Sequence, residues 1–115
     1  MKRMFSVMVG IAVLALCAAT AYAQDAAAQK SMEVFTAKKC TACHAIAGKG
    51  NKTGPLDEIG TKLSAAQIKA WITDPVSMAA KRNPPSKRKP PMMKIAMSDE
   101  EVEALVALLS GLKKQ

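Results

Sequence analysis

Cys40-Thr41-Ala42-Cys43-His44 brings two thiols and an imidazole together within five residues. Two cysteines separated by two residues, with a histidine directly after the second, form the attachment sequence for a c-type haem. Each thiol adds across one porphyrin vinyl group, and the adjacent imidazole serves as the proximal ligand to iron. The same thiols have two competing uses, as a redox-active dithiol or as half of a zinc site. Zinc needs two more ligands, and the chain has one other cysteine, Cys17, and no other histidine. A dithiol oxidoreductase needs a strand-helix-strand setting, and the flanking residues offer no convincing strand. A single motif means a single haem.

Iron held by one imidazole has a second axial position to fill. His44 is the only histidine, so an internal second imidazole is excluded and a methionine thioether is the natural ligand. Beyond residue 23 the chain offers Met32, Met78, Met92, Met93 and Met97. Met32 and Met78 fall in helical apolar stripes, where methionine is core filler. Met97 stands directly before a helix start and suits a hydrophobic staple. Met92 and Met93 follow Pro90-Pro91 in an irregular segment that can cross the far face of the ring. The residues by themselves leave both open.

The elements that must position these groups are helical. Residues 26–39 are alanine-rich and helix-compatible, with Ala28, Met32 and Phe35 on one side. Residues 47–60 carry Gly48, Gly50, Gly54 and Pro55 and read as loop with at most one turn of helix. Ser64-Ala65-Ala66-Gln67 matches a capping box, and Ile68, Trp71 and Ile72 give the helix behind it an apolar face. Asp74-Pro75 ends that helix, and residues 76–81 form another short one. Four prolines and five basic residues from Lys81 to Pro91 predict an extended, solvated segment. Ser98-Asp99-Glu100-Glu101 reads as a second capping box. Val102, Leu105, Val106 and Leu109 follow at helical spacing, with Gly111 and two lysines at the close.

Lys2 and Arg3, an apolar stretch from Met4 to Ala19, and Ala21-Tyr22-Ala23 have the form of a secretory signal. The expected arrangement is a signal peptide over residues 1–23, cleaved after Ala23, and one domain over residues 24–115. The alternative is an uncleaved anchor, because the apolar stretch approaches the roughly 20 residues that span a bilayer. Leu16 precedes Cys17 where a lipoprotein signal needs a small residue, which argues against lipid modification. The full chain has 17 basic and 9 acidic side chains, a formal +8; loss of Lys2 and Arg3 gives +6. Two ionised haem propionates lower this to roughly +4 in the ferrous state. With both remaining cysteines on haem, the processed chain has no thiols left for a structural disulfide.

The order of these features resembles the small class I c-type cytochromes of bacteria, monohaem and His/Met-ligated. The likeness covers about residues 32–112. Its most specific parts are Cys40-Thr41-Ala42-Cys43-His44, Thr53-Gly54-Pro55-Leu56, and Pro91-Met92 ahead of Met97-Ser98-Asp99-Glu100-Glu101. The resemblance implies an all-α, small single-domain cytochrome c fold whose N- and C-terminal helices cross around a haem-centred core. It assigns Met92 as the sixth ligand and gives the Pro55 carbonyl to the free ring nitrogen of His44. Three departures stand out: Ser31 takes the place of a frequent glycine four residues before Phe35, the last helix lacks an aromatic, and Met93 replaces the proline after the ligand methionine.

Two axial ligands leave no open position on iron, so the expected function is a periplasmic one-electron carrier and not an enzyme. The rival within the same chemistry is a membrane-anchored or complex-bound cytochrome c subunit of a respiratory enzyme. The expected partners are redox proteins of an electron-transport chain with acidic docking patches, met by Lys38, Lys39, Lys49, Lys52 and Lys87-Arg88-Lys89. A monomer without stable membrane insertion after signal cleavage completes the expectation. An exported chain with no nucleic-acid-binding motif is not expected to bind nucleic acid. A domain of this size is marginal without added apolar mass, which a covalent porphyrin supplies. The Cys40→Ser/Cys43→Ser variant is therefore expected to be largely unfolded by circular dichroism, and a cooperative native-like thermal transition would contradict this.

Overall fold

A computed structural model describes residues 26–115. The expected signal peptide, its cleavage point and Cys17 lie outside the described residues. The chain divides into two units, Met1–Lys30 and Ser31–Gln115. Of the first, residues 26–30 are described, and they are helical and exposed.

Helix α1 covers residues 26–37, and Ser31–Gln115 contains its second part. Its buried positions are Ser31 and Phe35, one turn apart, with Met32 and Val34 half-buried beside them. Ala28 is exposed, so the apolar side runs through Ser31 and not Ala28. The helix ends as Lys39 enters the left-handed region at φ 59°. A left-handed lysine costs about 1 kcal/mol, and it turns the chain directly into a 3-10 turn at Cys40–Ala42.

Next come two short strands, β1 (Ala45–Ile46) and β2 (Lys49–Gly50), paired antiparallel with Ala45 opposite Gly50. Ala47 and Gly48 between them both have positive φ, 51° and 76°, the two-residue hairpin geometry that suits the strand twist. The Asp57 carboxylate accepts from the Ala47 N–H at 2.7 Å. This hairpin stands where the residue pattern predicted only loop, since two-residue strands carry no periodicity.

The remaining helices are α2 (Ile59–Lys62), α3 (Ala65–Thr73), α4 (Pro75–Lys81) and α5 (Asp99–Ser110). At the start of α3 both capping-box bonds form: the Ser64 hydroxyl accepts from Gln67 N–H at 3.2 Å, and the Gln67 side chain accepts from Ser64 N–H at 2.9 Å. Asp74 closes α3 and caps α4, with Pro75 in the first turn, where its missing N–H costs nothing. Hydrogen bonds to Ser77 hold the Asp74 carboxyl below the usual range, with the Lys81 and Lys94 charges acting the same way.

Helix α5 buries Val102, Leu105, Val106 and Leu109, the four positions its spacing predicts. They share a core with Phe35, Ile46, Ile68 and Ile72. The all-α expectation holds apart from the small hairpin, and helices from both ends of Ser31–Gln115 contribute to one core. Gly60 sets the α2–α5 spacing: a Cβ there would lie 2.3 Å from the Ser110 carbonyl oxygen. Its N–H donates to Leu112 at 2.8 Å, and the Lys113 ammonium donates to its carbonyl at 2.7 Å. Gly111 has φ −79°, so α5 closes without the left-handed cap expected of a glycine at this place.

The second capping box forms only by half. Ser98 accepts from Glu101 N–H at 3.2 Å, but the Glu101 carboxylate turns away to pair with Lys38 at 2.9 Å. That contact ties the residue two before Cys40 to the first turn of α5. The hydrogen bond from Lys38 holds the Glu101 carboxyl below its ordinary range, and the Ser98 contact assists. A carboxylate depressed in the folded state stabilises the fold above its unfolded value, near 4. That share disappears as pH falls through the folded value. Glu101→Gln is expected to be less stable at pH 7 and to show a shallower loss of stability below about pH 5 than the parent. Denaturant unfolding of both holoproteins between pH 3 and 7 checks this, and parallel curves would contradict it.

Candidate haem site

The 3-10 turn at Cys40–Ala42 places the two thiols and the imidazole in succession, with His44 N–H donating to the Cys40 carbonyl at 2.9 Å. Cys40 is half-buried and packs against the core, while Cys43 is exposed; both thiols are free. Burial pushes the Cys40 thiol above its ordinary value, a backbone hydrogen bond opposes this, and the neighbouring Cys43 adds to it. Reactive dithiols depend on a lowered thiol pKa, so the shift disfavours a dithiol oxidoreductase. Among the described residues no group of three His, Cys, Asp or Glu side chains could hold a metal ion.

The His44 ring is oriented by the loop that follows it. Its Nδ1 lies 3.1 Å from the Gly54 carbonyl oxygen. As an N–H donor at Nδ1, the ring leaves Nε2 free for iron, the arrangement in which an outer hydrogen bond fixes the tautomer of a ligating histidine. The partner is Gly54 and not Pro55, which corrects the assignment drawn from the resemblance. Gly54 also accepts from Ala45 N–H at 3.1 Å, and Ala45 accepts from Leu56 N–H at 2.9 Å. This parallel bridge between Ala45 and Pro55 turns the Gly54 carbonyl toward residues 44–45. Burial pushes the His44 imidazole below its ordinary value, the Gly54 bond opposes this, and the charge of Arg88 assists the lowering. A neutral imidazole is the form that binds metal.

Three residues around this loop escaped the sequence reading as site residues. A Cβ on Gly54 would stand 2.2 Å from the Cys43 carbonyl oxygen and 3.1 Å from His44 Nδ1. A Cβ on Gly50, whose φ is +114°, would stand 2.2 Å from the His44 carbonyl oxygen. Only glycine permits so close an approach of two backbones. Asn51 closes the loop with its N–H directed at the carbonyls of Thr41 (3.0 Å) and His44 (3.1 Å). Its side-chain amide donates to Ala42 at 3.1 Å and accepts from the Thr53 N–H and hydroxyl at 3.0 and 2.6 Å. The visible signal was the density of glycine and asparagine directly after the motif.

Met92 and Met93 lie in the irregular stretch between α4 and α5, 38% and 72% exposed respectively. Met97 packs against the core, as expected of a staple. No hydrogen bond joins Met92 to the attachment residues. Its segment is tied to them by Arg88 Nη2, which donates to the Thr53 carbonyl at 3.0 Å, and by Lys38 Nζ, which donates to the Ala96 carbonyl at 3.2 Å.

A family model for Cytochrome c matches residues 28–113, and the chain belongs to this family. Membership carries a covalently bound haem c, here attached at Cys40 and Cys43, and a role in electron transfer with redox-protein partners. The chain is also 32% identical over 95 residues to cytochrome c oxidase subunit 2 of Alkalihalophilus pseudofirmus, an alignment covering 75% of this chain and 26% of that protein. The chain thus spans about a quarter of that relative's length. No solved structure matches it significantly.

The residues fit the group: two free thiols in one turn, an imidazole with one nitrogen engaged and its pKa pushed down by burial, and a glycine where any Cβ would collide. Gly54→Ala is expected to displace the ring and cost about 1–3 kcal/mol, the usual range for overpacking. Denaturant unfolding and the visible spectrum of the holoprotein check this. Parental stability with a parental spectrum would show that the close approach is not needed.

Proposed function

We propose that the chain is a soluble periplasmic monohaem c-type cytochrome, a one-electron carrier between redox proteins, exported by a signal over residues 1–23 that is cleaved after Ala23. The observation that carries this reading is the His44 ring, half-buried and oriented by the Gly54 carbonyl 3.1 Å from its Nδ1 so that one nitrogen remains for iron. When bound, haem supplies a one-electron ferric/ferrous couple. Cys40 and Cys43 hold it covalently, His44 is the proximal ligand, and Met92, less exposed than Met93, is the sixth.

A thioether opposite an imidazole raises the reduction potential relative to two imidazoles. It also fills the last coordination position, which leaves a substrate no place on iron and makes the chain a carrier and not an enzyme. Lys39, Lys49, Lys52, Lys87 and Lys89 are exposed, available to steer a monomer onto acidic patches of its partners. No helix among the described residues is long and apolar enough to cross a membrane. The second reading, a subunit anchored to or bound within a respiratory complex, draws on the likeness to an oxidase subunit 2. Stable co-purification with a membrane complex would favour it.

The visible spectrum of the purified ferric protein tests the ligation. A far-red sulfur-to-iron band is expected in the parent, lost in Met92→Ala and retained in Met93→Ala. A high-spin ferric parent would overturn the carrier reading, and the reverse pattern in the variants would move the ligand to Met93.

A further inference from the structure

We infer that Arg88 is a positioning residue that pins the methionine-bearing segment to the His44 loop and so holds the sixth ligand in place. The inference rests on the methionine ligation proposed above. Residues 80–94 are all exposed. Among the described residues between 83 and 97, Ser86 alone has a main-chain N–H that donates to a main-chain carbonyl, that of Ala79 at 3.2 Å. Such a stretch has little of its own to hold it, yet a ligand must return to one place.

Two cation-to-carbonyl contacts supply the hold. Arg88 Nη2 donates to Thr53 at 3.0 Å, next to the glycine that orients His44. Lys38 Nζ donates to Ala96 at 3.2 Å while pairing with Glu101 at 2.9 Å. Met92 stands four residues after the first pin and four before the second. Four residues reach at most about 14 Å, so each pin limits how far Met92 can stray. The Arg88 pin also joins the two axial ligands mechanically, because Thr53 and Gly54 belong to the loop under the imidazole.

The neighbours of Arg88 show that this is not a general property of the basic run. Lys87 and Lys89 make no hydrogen bond or ion pair among the described residues and stay free to meet a partner. Arg88 is committed to the chain itself. Hydrogen bonds from charged groups exceed neutral ones in strength, which suits an exposed tether.

The test compares Arg88→Gln with Lys87→Gln in the ferric holoprotein, two variants with the same change of charge. Imidazole serves as a competing iron ligand. Its half-displacing concentration for the sulfur-to-iron band is expected to fall about three- to tenfold in Arg88→Gln and to stay at the parental value in Lys87→Gln. Amide exchange at positions 86 and 88 should quicken in Arg88→Gln alone. Equal half-displacing concentrations in the two variants, or unchanged amide exchange, would overturn the role of Arg88. A parent lacking the band would instead count against methionine ligation, and the amide exchange would still decide the tether.

Discussion

Everything at this site depends on how closely the backbone at Gly54 lies against Cys43 and His44. At that position a methyl group would stand 2.2 Å from the Cys43 carbonyl oxygen, so the approach exists only because the side chain is a hydrogen. The reward is chemical: one carbonyl accepts from both the Ala45 amide and the His44 ring, which locks strand, loop and imidazole together. Gly50 and Asn51 extend the same clasp around the back of the attachment turn. The loop is therefore a built bracket for the histidine, although most of it is exposed.

The protein core is modest, and helices α3 and α5 supply most of its buried side chains. Phe35 joins it from α1 and Ile46 from the hairpin, so elements on either side of the attachment turn are anchored in one cluster. Cys40 packs against that cluster as well. A covalent haem fastened at this turn would be attached beside the apolar interior and would add mass where a small domain has least to spare.

Positive charge serves two purposes here. Lys38, Arg88 and Lys113 donate to main-chain carbonyls of distant segments and act as internal ties. Lys69 reaches Glu103 between α3 and α5. Lys87 and Lys89 remain outside such contacts among the described residues, exposed to solvent. A basic composition thus separates into cations that tie the fold together and cations that make no internal contact among the described residues.

Covalent adjacency made much of this protein legible in one dimension. The Cys-x-x-Cys-His run, the Ser64 box, the Asp74-Pro75 break and the apolar stripe of α5 are local patterns, and each stands as read. Whatever depends on two remote segments meeting was not legible. The partner of His44 is one residue from the expected proline because the Ala45–Pro55 bridge rotates a particular carbonyl inward. Glu101 leaves its capping box because Lys38 arrives from 63 positions away, and the hairpin exists because glycines let its strands close on the attachment turn. Residue order decides which groups are neighbours along the chain and what chemistry they carry; which carbonyl meets which side chain is decided by packing, since hydrogen bonds respond to tenths of an ångström that no local pattern encodes.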